Sequence, residues 1–327
     1  MYGVFWLTQF HFPLITGTEI LMLPPSLQHK TKHPMKTSIA YLRDIIANGG
    51  PEIQEYETLN LVFDAISSAY KAGSITAAEL EALQSGLNET DTILGHVKNK
   101  PFGYAGDFLI IDKIYREQVT ADQRFEKWDN FWHEQPACRA VRNRKDYFIH
   151  TILDALQHQS SLRLLNVASG PARDLAEIYS LIDPARLQTV CVEADEHAIN
   201  YAKELNEAHA SQVEFIHRNI FRFSTTQQFD LVWSAGLFDY FEDKIFVKLL
   251  RKFMSWTKPG GEVIIGNFGD HNPTRNYMEL MGDWYLHHRS AEELMNMALE
   301  AGASRGDVSV GREDEGVNLF LHVRVGV

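Results

Sequence analysis

The stretch LRLLNVASGPARDLAEIYSLIDPARLQTVCVEAD, residues 162–195, has the pattern of a strand, a turn, a helix and a second strand. LRLLNV and TVCVE are short apolar runs of the kind that form buried parallel strands, and DLAEIYSLI between them has helical spacing. ASGPARD, which joins the first strand to the helix, is a tight turn that begins with small residues. The stretch therefore predicts a βαβ unit.

Two features of this unit predict a bound nucleoside. Ala168, Ser169 and Gly170 leave little side-chain bulk after the first strand, so a ligand can approach the exposed N–H groups at the start of the helix. Glu193 ends the second strand 23 residues after Gly170, close to the spacing of about 20 at which an acid binds ribose hydroxyls. Asp195 is the alternative ribose partner, because it lies on the same face of the strand.

The turn does not have the glycines of a dinucleotide site. That fingerprint is G-x-G-x-x-G, in which the later glycines allow close pyrophosphate approach and helix packing. Here Gly170 is followed by Pro171, Ala172 and Arg173, which disfavours pyrophosphate binding. An NAD-dependent oxidoreductase and a non-catalytic nucleoside-binding module stay open as alternatives.

Composition bounds the class of protein. The chain has 327 residues, of which 45% are apolar and 23% charged, enough for one large domain or two ordinary ones. A formal charge of −12 argues against nucleic acid as a partner. Cys138 and Cys191 form no C-x-x-C motif, and no histidine or carboxylate cluster has metal-ligand spacing, so we expect neither a disulfide framework nor a metal. These features fit a cytoplasmic protein.

We divide the chain into three parts. Residues 1–34 form an apolar N-terminal arm without the basic start or cleavage site of a signal peptide, and polar residues interrupt any membrane span, so no stable membrane anchor is expected. The arm either packs on the body or a partner subunit, or precedes a true start near Met35. Residues 35–157 are a helical cap or lid module, and residues 158–327 are the nucleoside-binding domain.

The helical module has clear local signals. Thr76 and Glu79 form a capping box before a helix, and residues 121–135 and 138–157 predict two further helices. The second of these carries arginines that we assign to a solvated face. One apolar helical face is formed by Leu59, Val62, Phe63, Ile66 and Tyr70.

A loop follows in KPFGYAGDFLIIDKIY, residues 100–115, where proline and glycine interrupt helix formation. It is either an ordinary loop before an apolar helix or a lid over the nucleoside. In the second interpretation, Tyr104 and Asp107 face the reacting groups.

After residue 195 the alternation of strands and helices continues. QVEFIHRNI, QFDLVWSAG and GEVIIGNF predict three more strands, Lys258–Gly261 a turn before the last of them, and SVG with NLFLHVRV a terminal hairpin. The fold class is α/β, with a doubly wound, seven-stranded, mostly parallel sheet whose last strand is antiparallel.

These segments together resemble the class I S-adenosylmethionine-dependent methyltransferases, which have a Rossmann-like fold. The family's D-x-G-x-G-x-G turn is matched by Asn166, Ala168, Gly170 and Ala172; VEFIHRN, FDLVWSAGLFDYF and KPGGEVIIGNF resemble its later motifs. The resemblance implies S-adenosylmethionine as the cofactor. The cofactor-binding residues that it and the βαβ pattern indicate are Ala168, Ser169, Gly170, Glu193, Asp195, Asn219, Ile220 and Ser234.

A narrower resemblance rests on GYAGDF, NVASGPARD, SAGLFDYF and NPTRNYMELMGDWYLHHRS. These segments are similar to the 3-hydroxypalmitic acid methyl ester biosynthesis proteins of bacteria, which make an extracellular quorum-sensing factor. That similarity implies methylation of the carboxylate of a 3-hydroxy fatty acid. A hydroxyl or an amine of another small molecule is the alternative acceptor.

The type of acceptor decides which residues matter. A carboxylate is ionised at neutral pH and needs no general base, whereas a hydroxyl or amine usually needs one. The acceptor-side candidates are Tyr104, Asp107, Tyr240 and Arg275, the last because a guanidinium can pair with a carboxylate in bidentate fashion. The expected partner is a small molecule, and whether the chain is a monomer or a homodimer stays open.

Overall fold

The computed structural model describes residues 34–326, so the apolar arm predicted for residues 1–34 lies almost wholly outside the described residues. Within this range the helices are α1 (Pro34–Ala47), α2 (Tyr56–Lys71), α3 (Ala77–Gln84), α4 (Ile93–Asn99), α5 (Phe108–Tyr115), α6 (Glu126–His133), α7 (Pro136–His158), α8 (Arg173–Leu181), α9 (Glu196–Leu205), α10 (Asp243–Trp256), α11 (Arg275–Gly282) and α12 (Ala291–Ala301). The strands are β1 (Leu162–Val167), β2 (Leu187–Glu193), β3 (Val213–His217), β4 (Phe229–Ala235), β5 (Thr257–Phe268), β6 (Val308–Arg312) and β7 (Asn318–Arg324).

The seven strands form one sheet in the order β3-β2-β1-β4-β5-β7-β6. β1 pairs in parallel with β2 and β4, and β7 is antiparallel to both β5 and β6. The predicted α/β fold and its antiparallel last strand are therefore confirmed. Because the order reverses beside β1, the carboxyl ends of β1, β2 and β4 border one crevice, where open α/β sheets bind their ligands.

One local prediction differs from the structure. Residues 258–261 are not a separate turn, because they lie within β5, where the register against β4 shifts between Phe229 and Leu231. Helix α11 ends at Gly282, and the next residue, Asp283, has a positive φ of 48°. The capping boxes of Thr76 with Glu79 and of Ser290 with Glu293 are both present.

Two apolar cores cover the two faces of the sheet. The first packs α8 and the second half of α7 on one face, including Phe148, Ile152 and Leu175. The second packs α10 and α12 on the other face, including Phe246 and Leu294. Burial on both faces explains why the parallel strands read as continuous apolar runs.

A third core joins the helices that precede the sheet. It contains Leu59, Val62, Phe63 and Ile66 of the predicted helical face, whereas Tyr70 is 37% exposed. It also contains Phe268 and residues 277–286, which come from the later part of the chain. The first half of α7 lies in this core and its second half in the sheet core, so one long helix connects them. The domain boundaries given above remain a proposal.

Candidate active site

The turn after β1 has an unusual backbone. Ala168, Gly170 and Ala172 have positive φ angles of 54°, 53° and 50°. These are the three positions that correspond to glycines in the methyltransferase pattern. A left-handed residue other than glycine costs about 1 kcal/mol or more, so the two alanines hold a conformation that glycine adopts more readily. Nothing lies within 4 Å of the place where a Cβ on Gly170 would stand, so this position faces open space.

Glu193 at the end of β2 is bonded to this turn. Its Oε2 accepts a hydrogen bond from the Gly170 backbone N–H, and its Oε1 accepts from the N–H groups of Ala194 and Asp195. Asp195 caps the N-terminus of α9, and its Oδ1 accepts from the His197 N–H. Its Oδ2 is buried and has no partner among the described residues.

A cleft of about 560 Å³ opens above these groups, within the size range of small-molecule sites. It is bordered by the turn after β1, the ends of β2 and β4, the loop and helix of residues 102–115, and α7. Its lining residues include Ala168, Ser169, Gly170, Glu193, Asp195, Tyr104 and Tyr240 of the sequence-predicted set. Two further lining atoms, Asn166 Nδ2 and Ser169 Oγ, are buried without a partner in the described part of the chain. Buried polar atoms are almost always hydrogen-bonded, so these atoms indicate a polar ligand.

The loop between α4 and α5 closes one side of the cleft. Phe102 contacts the ring of His197 on α9, with ring centroids 5.4 Å apart. A Cβ added to Gly106 would lie 2.6 Å from the Tyr240 Oη and 2.7 Å from Trp284 Cζ2. Any larger residue at position 106 would therefore displace these two side chains. Burial raises the pKa of both Tyr104 and Tyr240, and nearby carboxylates add to that shift. Phenols are neutral near pH 7 at their ordinary pKa, so both can donate a hydrogen bond, and the Tyr240 hydroxyl also accepts one from Trp284 Nε1 at 3.0 Å.

A buried carboxylate on α5, that of Asp112, connects this helix to α8 and α9. Asp112 accepts from Arg173 Nε at 2.5 Å and Nη2 at 3.0 Å, and from the Tyr201 hydroxyl at 2.6 Å. Arg173 is the first residue of α8 and directly follows the turn. The position of α5 over the cleft is thus coupled to the turn.

Asp107 does not face the cleft, which corrects the sequence prediction. It is fully buried and caps α5, with Oδ1 accepting from the N–H groups of Leu109 and Ile110. His96 Nε2 lies 3.0 and 2.8 Å from its two oxygens. Its side chain is occupied in positioning the loop.

Arg275 is also outside the cleft. It lies at the start of α11, its Nε donates to Glu279 Oε1 at 2.7 Å, and its side chain is 47% exposed. An i, i+4 partner on its own helix holds the guanidinium at the surface. The structure does not bring it together with Tyr104 and Tyr240.

Three residues predicted to bind the cofactor do not line the cleft. Trp233 and Ala235 are the β4 residues that line the cleft, and because side chains alternate along a strand, Ser234 between them points to the other face. The Ser234 hydroxyl donates to the Val167 carbonyl. Asn219 is exposed and accepts from the Phe221 N–H. Ile220 is buried in the core on the α10 face of the sheet.

Several lining residues were not predicted from the sequence, and Arg144 is the most notable of them. It lies in the middle of α7 and is only 6% exposed, although we assigned this helix's arginines to a solvated face. Arg139 and Arg142 do have acidic partners nearer the surface. Arg144 lies four residues from both Ala140 and Phe148, which are buried on the same stripe of the helix. That spacing was the available signal. Other lining residues missed are Phe102, Phe108, Ile111, Tyr115, Asp174 and Trp233.

Among residues 34–326, no group of three or more His, Cys, Asp or Glu side chains is arranged to hold a metal ion. Within the same range, no helix is long and apolar enough to cross a membrane.

Comparison with known proteins agrees with this architecture. A solved structure from Bordetella parapertussis, described as a possible exported protein, superposes with a TM-score of 0.58 at 17% identity, covering 94% of this chain and all of that one. The likeness shows that the fold, including the helices before the sheet, recurs in a solved structure.

Other solved structures are methyltransferases. The N-methyltransferase NodS from Bradyrhizobium japonicum, in complex with S-adenosylhomocysteine, has a TM-score of 0.43 at 16% identity and covers 66% of this chain and 97% of its own. The Burkholderia thailandensis 1,6-didemethyltoxoflavin-N1-methyltransferase has a TM-score of 0.44 at 15% identity and covers 61% of this chain and 86% of its own. No curated protein sequence matches significantly.

The family model described as "Methyltransferase domain" matches residues 164–261. This segment runs from within β1 into β5, less than a third of the chain, and contains the turn, Glu193 and the end of β4. The part of the chain that forms the turn and the ends of β2 and β4 therefore matches a methyltransferase-domain model.

Proposed function

We propose that the cleft binds S-adenosylmethionine and transfers its methyl group to a small-molecule carboxylate. The observation that carries the donor site is the set of buried polar atoms without partners, Asn166 Nδ2, Ser169 Oγ and Asp195 Oδ2, beside the open Gly170. In this proposal Glu193 and Asp195 receive the ribose hydroxyls, and the backbone from residue 168 to residue 170 holds the methionine part. Asn219, Ile220 and Ser234 are not included.

The chemistry that the donor supplies is simple. When bound, S-adenosylmethionine presents a methyl group on a positively charged sulfur, which keeps the C–S bonding pair as an acceptor oxygen forms the new C–O bond. The residues of the cleft must therefore hold the two reactants in line and exclude water. Phe102, Phe108 and Phe241 provide an apolar lining suited to that task.

The lining among the described residues supports a carboxylate acceptor over a hydroxyl or an amine. It contains no histidine or lysine, and its carboxyl groups, Asp174, Glu193 and Asp195, each accept a backbone hydrogen bond. Tyr104 and Tyr240 are neutral at pH 7, as any phenol with an ordinary pKa is, and their raised pKa values make them still poorer bases. A carboxylate arrives already ionised, so it needs none of these groups as a base. The two phenols can instead donate hydrogen bonds that orient its oxygens.

We further propose that the acceptor is a 3-hydroxy fatty acid and the product a methyl ester signal. The apolar side chains of the lining, among them Ile111, Trp233 and Leu237, suit an alkyl chain. The motifs quoted above, GYAGDF and SAGLFDYF, support the same acceptor class through their resemblance. Both motifs contribute residues to the cleft.

The direct test is an acceptor screen with methyl-labelled donor. We would offer 3-hydroxy fatty acids of several lengths, the matching 1,3-diols and matching 3-hydroxy amines, and measure label in an organic extract before and after mild alkali. Methyl esters release the label in alkali, whereas methyl ethers and methylamines do not. The proposal expects alkali-labile label from the acids alone. Alkali-stable label from a diol or amine, with none from the acids, would contradict it.

A further inference from the structure

Arg144 is a buried cation that forms no ion pair within the described part of the chain. Arg144 is 6% exposed, and no carboxylate oxygen of the described residues lies within 4 Å of its guanidinium nitrogens, the distance limit for an ion pair. Its one described hydrogen bond is a long one, from Nε to the Tyr115 hydroxyl at 3.4 Å. Burying a charge without a partner is strongly unfavourable, so a residue of this kind needs a reason to persist.

The guanidinium lies at the wall of the cleft. It is a lining residue between α5 and the end of β4, and its Nη1 would stand 2.9 Å from a Cβ placed on Gly236. Gly236 has a φ of 107°, so two features at this position keep the space beside the guanidinium free of a side chain. The neighbouring charged groups, Asp174 and Asp239, are buried carboxyls that make backbone hydrogen bonds and no ion pair with it.

We infer that Arg144 is the carboxylate-binding residue of the cleft, an inference that rests on the proposed function. A guanidinium presents two parallel N–H donors that match a carboxylate. Two carboxylates are chemically equivalent here: that of the methionyl end of the methyl donor and that of the acceptor. Either one compensates the buried charge, and the experiment below separates the two sources.

The experiment measures binding by calorimetry and needs no turnover. S-adenosylhomocysteine is compared with 5′-methylthioadenosine, which has the same nucleoside and sulfur but lacks the amino-acid end. In a second pair, with S-adenosylhomocysteine present, 3-hydroxydecanoate is compared with its neutral amide. Wild type, Arg144→Met and Arg144→Lys are titrated with all four ligands. Arg142→Met is the matched control, because Arg142 lies on the same helix outside the cleft and donates to the His133 carbonyl.

Arg144→Met is expected to weaken one carboxylate ligand by about tenfold or more and to leave its carboxylate-free counterpart within about twofold. Loss confined to S-adenosylhomocysteine assigns Arg144 to the donor, and loss confined to 3-hydroxydecanoate assigns it to the acceptor. Arg144→Lys should retain part of the affinity, because lysine keeps the positive charge but lacks the two parallel N–H donors of the guanidinium. The control should match wild type throughout.

Folding is followed separately. Burial raises the pKa values of the Asp174 and Asp239 carboxyls, and the charge of Arg144 lowers them in part, so Arg144→Met should lower the melting temperature at pH 7.5 while the protein stays folded at the titration temperature. The inference is overturned if wild type binds S-adenosylhomocysteine and Arg144→Met binds all four ligands as wild type does. It falls together with the proposed function if wild type binds neither adenosyl ligand, an outcome visible before any variant is tested.

Discussion

Glu193 Oε2 accepts a hydrogen bond from the Gly170 backbone N–H at 3.0 Å, so the end of β2 is bonded directly to the turn after β1. The acid that the spacing assigned to a ribose therefore also fixes the shape of the turn beside it. Three backbone N–H groups donate to this carboxylate, and a carboxylate has about four acceptor sites. One site remains for a ligand hydroxyl.

The positive φ at Ala168 predicts an asymmetric response to substitution. Ala168→Gly relieves strain of about 1 kcal/mol and loosens the unfolded chain by a similar amount, so unfolding free energy should change by less than about 1 kcal/mol. Ala168→Val places a β-branched residue in the left-handed region and should cost about 2 kcal/mol or more. Urea denaturation measures both. Equal stability of the glycine and valine variants would contradict the described turn.

The ion pair between Asp112 and Arg173 predicts energetic coupling between α5 and the turn after β1. Asp112→Asn should lower the unfolding free energy by about 2 kcal/mol, because Arg173 loses a bidentate partner at a mostly buried site. In a double-mutant cycle with Arg173→Met, we expect a coupling energy of at least about 1 kcal/mol. Additive effects within about 0.5 kcal/mol would show that the pair does not join the two elements. Asp122→Asn, in an exposed pair with Arg124, is the matched control.

Replacing Arg275 tests whether it binds the acceptor, as predicted from the sequence, or lies at the surface outside the site, as in the structure. Arg275→Ala removes a half-exposed pair with Glu279, so stability should fall by about 1 kcal/mol or less, and KM for the acceptor should stay within about twofold. If Arg275 oriented the acceptor carboxylate, the same variant would raise KM by about tenfold or more. Steady-state kinetics distinguishes these results once an acceptor is known.

Asp174 predicts a pH effect on stability. Burial raises its pKa to about 6, so the folded state binds a proton more tightly there than the unfolded state does. From this group, unfolding free energy falls as pH rises from about 4 through about 6. Asp174→Asn should therefore raise the melting temperature at pH 7.5, with the gain shrinking towards pH 4. A gain that is absent at pH 7.5, or that grows as pH falls, would contradict the sign of this shift.

Much of the fold could be read from the sequence because its signals are local. Apolar runs that alternate with helical segments indicated parallel strands, and small residues followed the first strand where the backbone turns. Ala168 and Ala172 occupy positive-φ positions, which shows that the turn keeps its shape with alanine at two positions of the glycine pattern.

The parts of the site that could not be predicted depend on packing between distant elements. Asp107 was assigned to the reacting groups, but His96 on the preceding helix and the start of α5 bind both of its oxygens. Ser234 was predicted to line the site instead of Trp233. A strand that is buried on both faces shows no alternation of polar and apolar residues, so its sequence does not indicate which side chains face the cleft. Arg144 is the same residue type as its surface neighbours Arg139 and Arg142, and the position of α7 between two cores is what buries it.

Calorimetric titration of the purified protein with S-adenosylmethionine, S-adenosylhomocysteine and NAD, alongside Glu193→Ala and the exposed control Glu196→Ala, measures whether the cleft binds adenosyl ligands through Glu193. We expect the adenosyl ligands to bind wild type and the control in the micromolar range, and Glu193→Ala to bind them about tenfold or more weakly, as for a lost charged hydrogen bond. Absence of adenosyl binding to wild type, or tighter binding of NAD, would contradict the account.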